Sequence, residues 1–150
     1  TGRRHNLFMR SIVTGGAGLA RTLQTPYRKT TTSSSSTTRH GAGREKIEPL
    51  LDHPRVTFIE ESITDLDLLV EVFPGADSIF HQAAIPSVPR SVKNPLASNE
   101  ANVTGTLNVL VAAKDCGVPA VVAASSSSVY GDTPFQDRET LGFMFVLQLR

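Results

Sequence analysis

A short apolar run that turns directly into glycines constrains this chain most. Ser11-Ile12-Val13-Thr14 reads as a buried strand, and Gly15-Gly16-Ala17-Gly18 follows without a spacer. Glycines at such a strand end let the backbone turn sharply and approach a ligand closely. A helix starting there would offer free N–H groups and its positive dipole end to phosphates. Gly15 and Gly18 are therefore candidate cofactor-binding positions. The complete fingerprint has a third glycine three residues after Gly18, where Arg21 stands. The order of the elements downstream has to carry the rest of the reading.

That order alternates. Residues 56–60 alternate and are β-rich, predicting a strand. Thr64 is a candidate N-cap for a helix whose apolar face would be Leu68, Leu69, Val72 and Phe73, ended by Pro74-Gly75. Residues 77–81 predict another short strand. Residues 95–115 predict one helix, with Val103, Leu107, Leu110 and Val111 on its apolar side and Gly117 near its end. Residues 120–124 form a continuous apolar strand leading into Ser125-Ser126-Ser127-Ser128. Strands alternating with helices predict an α/β fold around a parallel sheet. Continuously apolar strands fit burial on both faces.

Residues 20–44 interrupt this plan. A doubly wound sheet needs a helix and a second strand there, yet residues 30–38 are all threonine or serine. Read literally, this run is a polar loop or a disordered linker. A slipped reading frame offers a second explanation. Re-read one register on, the doublets of threonine and serine codons permit three polar, four apolar and two polar residues. That would be a buried strand ending in carboxylates. The doublets of residues 20–29 likewise permit a helix opened by the missing glycine. The alternative is a genuine low-complexity insertion. Residues 1–10 read as a leader with Met9 a candidate start, residues 45–52 as a short helix, and residues 142–150 as an aberrant tail.

Bulk properties exclude several classes. The chain has 150 residues, enough for one domain. Its net charge of +1 supplies no basic surface for nucleic acid or membrane. No apolar run approaches the ~18 residues that span a bilayer. One cysteine, Cys116, precludes an internal disulfide and fits a reducing, cytoplasmic setting. It is expected to be an inert helix-end residue. Histidine and cysteine spacing predicts no metal site.

Five segments occur in order along the chain: Val13-Thr14-Gly15-Gly16-Ala17-Gly18, His81-Gln82-Ala83-Ala84, Ser87-Val88-Pro89-Arg90-Ser91, Asn102-Val103-Thr104-Gly105-Thr106-Leu107-Asn108, and Ser125-Ser126-Ser127-Ser128-Val129-Tyr130-Gly131-Asp132. Together they resemble the extended short-chain dehydrogenase/reductase family, and most of all its nucleotide-sugar 4-epimerases. The resemblance implies a Rossmann-like, doubly wound domain over residues 11–141, the N-terminal portion of such an enzyme. It implies NAD as cofactor and a UDP-sugar as substrate. Gln82, Ala83 and Ala84 would line the dinucleotide, although tight packing alone could also explain the two alanines. Ile63 falls at the family's adenine-side position, preceded by Ser62 where the family has Asp. Ser126, with Ser127 next, would be the catalytic hydroxyl, and Tyr130 a structural tyrosine. Ser87 and Arg90 would face the substrate, Arg90 toward a phosphate or carboxylate; a solvated surface role is its other reading. His81 is expected to be structural, and Asn102 to bridge backbone groups with its amide. Full-length relatives of this kind commonly form homodimers.

The departures from the family pattern are equally specific. An acidic residue at the end of strand two is replaced by the region of Thr37 and Thr38, and no Tyr-x-x-x-Lys pair occurs in the 150 residues. The chain as written is therefore expected to be catalytically inactive. Two further readings stay open: a nucleotide-sugar 4,6-dehydratase or other extended-family enzyme, and a non-catalytic nucleotide-binding remnant. Ser127-Ser128 stand where dehydratases carry Asp-Glu, which disfavours the first of these.

Overall fold

The computed structural model describes residues 10–15, 30–34, 54, 56–125 and 144–148. Along the chain run β1 (Ser11–Thr14), β2 (Thr30–Ser34), β3 (Val56–Glu60), α1 (Leu66–Val72), β4 (Ser78–His81), α2 (Val88–Lys93), α3 (Pro95–Asn99), a π-turn (Glu100–Thr104), α4 (Gly105–Asp115), β5 (Ala120–Ala124) and β6 (Met144–Gln148). The strands form one sheet in the order β3-β2-β1-β4-β5-β6. All neighbours are parallel except β5 and β6, which are antiparallel. This is the doubly wound, Rossmann-like order.

The expected strands at 11–14, 56–60 and 120–124 stand where they were predicted, and β4 begins one residue later, at Ser78. The literal reading of the threonine/serine run is corrected. Thr30–Ser34 is a strand, pairing with β1 on one side and β3 on the other. Parallel ladders consume backbone groups, which every residue here supplies, and β-branched threonine favours extended backbone. The expected tail is likewise a strand over Met144–Gln148, set against β5. Arg10, assigned to the leader, is tied down. Its N–H meets Asp77 Oδ2 at 2.6 Å, and its guanidinium donates to the carbonyls of Val72, at 2.8 Å, and of Pro74. A cation thus caps the C-terminal end of α1, where the helix dipole favours it. The short helix expected at 45–52 lies outside the described residues.

Local chemistry sets the helix limits. α1 is capped by Asp65 rather than by Thr64, because Asp65 Oδ1 accepts from Leu68 N at 3.1 Å. Thr64 instead exchanges hydrogen bonds with Ser62. Ser87 and Asn94 cap α2 and α3, each of which carries proline in its first turn. At the end of α4, Val118 N donates to Ala113 O at 2.8 Å and Gly117 N to Lys114 O at 3.0 Å. With Gly117 at φ +67°, this is a Schellman ending. Burial, and then the Asp115 charge, push the Cys116 thiol up, so it stays protonated at neutral pH, as an inert residue would.

The expected single helix over 95–115 is three segments, and of its predicted apolar side Leu110 packs against the core and Val111 is half-buried, while Val103 and Leu107 face outward. Val103 and Leu107 are 59% and 58% exposed, whereas Ala101, Gly105, Val109, Ala112 and Ala113 are buried. Small residues win because the helix lies very close to the loop after β3. A Cβ at Gly105 would fall 2.6 Å from Ile63 Cδ1. Asn108 Nδ2 reinforces the approach, donating to Thr64 O at 2.9 Å. α1 packs on α4. Between them and the sheet lies a core that includes Ile12, Leu69, Phe73, Ile79, Val109 and Val121. No helix among the described residues is long and apolar enough to cross a membrane.

Candidate functional site

The strand order reverses between β1 and β4. From β1 the chain winds outward to β2 and β3; from β4 it winds the other way to β5. Such a reversal marks a crevice beyond the carboxyl ends of these two strands, where open α/β sheets bind ligands. Two predicted segments meet at that crevice. Gly15 follows β1 with φ +73°, and Gln82-Ala83-Ala84 follows β4. A Cβ on Gly15 would lie 2.7 Å from both Cα and N of Ala83 and 2.8 Å from the Gln82 carbonyl carbon. Only glycine fits, for space and for backbone conformation alike. Gln82 N donates to Thr14 O at 3.0 Å, extending the β1–β4 ladder by one step. Ala83 is buried, Gln82 half-buried and Ala84 exposed.

Below this surface runs a chain of side-chain hydrogen bonds. Thr14 and His81 are register partners at the ends of β1 and β4, both buried. Thr14 Oγ1 lies 2.7 Å from His81 Nδ1, and Ala83 N donates to the same oxygen at 3.4 Å. On the other side, His81 Nε2 lies 2.9 Å from Thr106 Oγ1, whose hydroxyl donates to Asn102 O at 2.7 Å. Asn102 then holds the loop. Its Oδ1 accepts from Ile85 N at 2.7 Å, and its Nδ2 donates to Ile85 O at 3.2 Å. The amide bridges backbone groups as expected of it, and His81 occupies a structural position. Burial pushes the His81 imidazole below its ordinary pKa, so it is neutral at pH 7.

The remaining candidates separate. Ile63 packs into the core against Gly105, with its carbonyl accepting from Asn108 Nδ2 at 3.4 Å. Ser87 is engaged as the α2 cap, its Oγ accepting from Arg90 N at 3.4 Å. The Arg90 side chain is exposed and borders a cavity of about 390 Å³ shared with Ile85, Lys93, Asn94, Ala97 and Ser98. Gly18, Ser126 and Ser127 lie outside the described residues; Ser125, which leaves β5 beside the crevice, is half-buried. No cluster of metal-ligating side chains occurs among the described residues. Sequence reasoning missed Thr14 and Thr106 as site-forming residues. Their signal is only a hydroxyl at the last residue of β1 and another one helical turn after Asn102.

Comparison with known proteins agrees with this geometry. The model of the NAD dependent epimerase/dehydratase family matches residues 12–143. A UDP-glucuronate 4-epimerase of Thermodesulfobacterium geofontis is 39% identical over 92 residues, 59% of this chain and 28% of that protein. Among solved structures, a double mutant of the dTDP-glucose 4,6-dehydratase DesIV from Streptomyces venezuelae, with NAD bound, superposes with a TM-score of 0.75. It is 33% identical, over 84% of this chain and 42% of that one. A UDP-N-acetylglucosamine 4-epimerase of Methanobrevibacter ruminantium gives 0.71 at 30% identity, over 85% of this chain and 41% of that one. The chain thus spans less than half the length of each of these proteins.

Proposed function

Because the chain belongs to the NAD-dependent epimerase/dehydratase family, we propose that it is the dinucleotide-binding part of a nucleotide-sugar 4-epimerase. The close approach of Gly15 to Ala83 carries this reading. It brings the backbones that follow β1 and β4 into contact at the crevice, the place where open α/β sheets bind dinucleotides. Gly15, Gln82, Ala83 and Ala84 would hold the cofactor, joined by Gly18 from outside the described residues. Bound NAD supplies a hydride acceptor and donor for the sugar's C4.

This chain's own residues have narrower tasks. The Gly15 turn and the small side chains of Ala83 and Ala84 would let the cofactor lie close to the backbone, with the Ala83 amide held from below by Thr14. Ser126, or Ser127 beside it, would hydrogen-bond the sugar hydroxyl whose proton is to be removed. Ser87 and Arg90 would sit on the substrate side, with Arg90 suited to a phosphate or carboxylate of a UDP-sugar. The proton acceptor of the family, a tyrosine in Tyr-x-x-x-Lys, is not among these 150 residues. General-base catalysis contributes about 10²–10⁴ in rate, so the 150 residues alone are expected to bind without turning over.

The likeness to DesIV favours a second reading, a 4,6-dehydratase. Ser127-Ser128 in place of an acidic pair supports the epimerase over it. Calorimetric titration of the full chain with NAD, followed by incubation with UDP-galactose, tests the proposal. Saturable binding without UDP-glucose formation is expected. Absence of binding would remove the dinucleotide reading, and turnover would remove the inactivity.

A further inference from the structure

We propose that His81 is a positioning residue. Locked as its Nε2-protonated neutral tautomer, it couples helix α4 to the Ala83 amide through a one-way relay of hydrogen bonds. The direction follows from one commitment. The Thr106 hydroxyl proton goes to Asn102 O, so Thr106 Oγ1 can only accept from His81 Nε2. Nε2 therefore carries hydrogen. The buried ring is neutral, so Nδ1 is bare and accepts from the Thr14 hydroxyl. Having given its proton, Thr14 Oγ1 is left as the acceptor for Ala83 N–H. The relay runs from the Ala83 amide through Thr14, His81 and Thr106 to the Asn102 carbonyl. The Asn102 side chain meanwhile grips Ile85, two residues beyond Ala83.

Protonation reverses the middle of this relay. Nδ1–H would point at Thr14 Oγ1, and the Thr14 proton would need another acceptor inside a fully buried strand. No charged group among the described residues offsets that change. β1 and β5 carry no ionisable side chain, α4 presents Thr106 and has Lys114 and Asp115 exposed at its far end, the π-turn presents Asn102, and Glu100 at its head is exposed. Burial is the one cause of the lowered pKa. An unfolded chain thus takes the proton first. Stability is full above the ordinary histidine value of about 6.5 and declines as pH falls from there toward the folded value. What the relay means for a dinucleotide rests on the reading above; the relay itself does not.

The test uses the full chain, ¹⁵N-labelled, with ring-nitrogen correlations of His81 and the backbone amides followed from pH 8 downward. The Nε2–H tautomer is expected to dominate by roughly tenfold, the worth of one retained hydrogen bond. The ring should remain neutral below the ordinary midpoint. The Ala83 amide should shift with the His81 midpoint before core amides such as Ile79 change. Thr106→Val should abolish the tautomer preference, and Thr14→Val the Ala83 step. An Nδ1–H ring, ordinary titration, or an Ala83 amide blind to His81 would overturn the proposal. So would simultaneous loss of every amide at that midpoint, which would make His81 a general core residue. The wild-type titration decides even where a variant does not fold.

Discussion

β1 and β2 lie side by side, each with a parallel neighbour on both edges, yet they are built from opposite kinds of residue. β1, Ser-Ile-Val-Thr, is buried along its whole length. It is stitched to β4 by side chains as well as backbone, Ser11 Oγ to Ser78 Oγ at 3.0 Å and Thr14 to His81 at 2.7 Å. β2 is Thr-Thr-Thr-Ser-Ser, without one large apolar side chain to contribute. Both form. A slot between two strands is filled by any chain that can supply N–H and C=O groups in register. What apolar side chains add is the free energy that holds the strand there. The hydrogen-bonded part of the site hangs from β1.

Three substitutions and one exchange measurement test this contrast. The largest effect is expected from Gly15→Ala, which attacks the strong side. Its Cβ would meet Ala83 at 2.7 Å with φ at +73°, costing about 2–5 kcal/mol from left-handed strain plus overpacking. Gly117→Ala is the control. It has a similar φ, +67°, but open space around the position, so only the roughly 1–2 kcal/mol of conformational strain applies. Equal losses in urea denaturation would mean that the contact with Ala83 is not tight. Next comes Asn102→Ala, which strips both bonds from Ile85 and should cost about 1–3 kcal/mol. Wild-type stability in that variant would mean that water replaces the amide and the loop is held by other means. The smallest effect concerns the strands directly. Hydrogen exchange should find β2 amides opening about fivefold faster than those of β1, about 1 kcal/mol more cheaply. Equal protection would erase the distinction between them.

The sheet was legible in the sequence where strands are apolar and close to their signals. Ile12-Val13, Val56 through Glu60, and Val121-Val122 announce themselves by burial pattern alone. β2 was not, because its residues carry no hydrophobic signal and its place is set by neighbours distant in sequence. The helix face was misjudged for a related reason. Hydrophobic periodicity selects Val103 and Leu107, but Gly105 and Ala112 allow the closest approach, and close packing decided the orientation. The loop residues of the site were legible from small side chains after a strand. The relay beneath them was not, since Thr14 and His81 meet only through the register of two strands 67 residues apart.

The π-turn at Glu100–Thr104 has a consequence for how this region can vary in length. Gly105 N donates to Glu100 O, five residues back rather than four, so the turn carries one residue beyond an α-helical turn. A version of the chain lacking a residue there could close the same step with an ordinary turn, leaving the flanking helices facing as they do now. The same deletion within α4 would swing all later residues by about 100° and take Ala112 and Ala113 out of the core. A one-residue deletion along this long helical stretch is therefore tolerable at the π-turn and ruinous a few residues on.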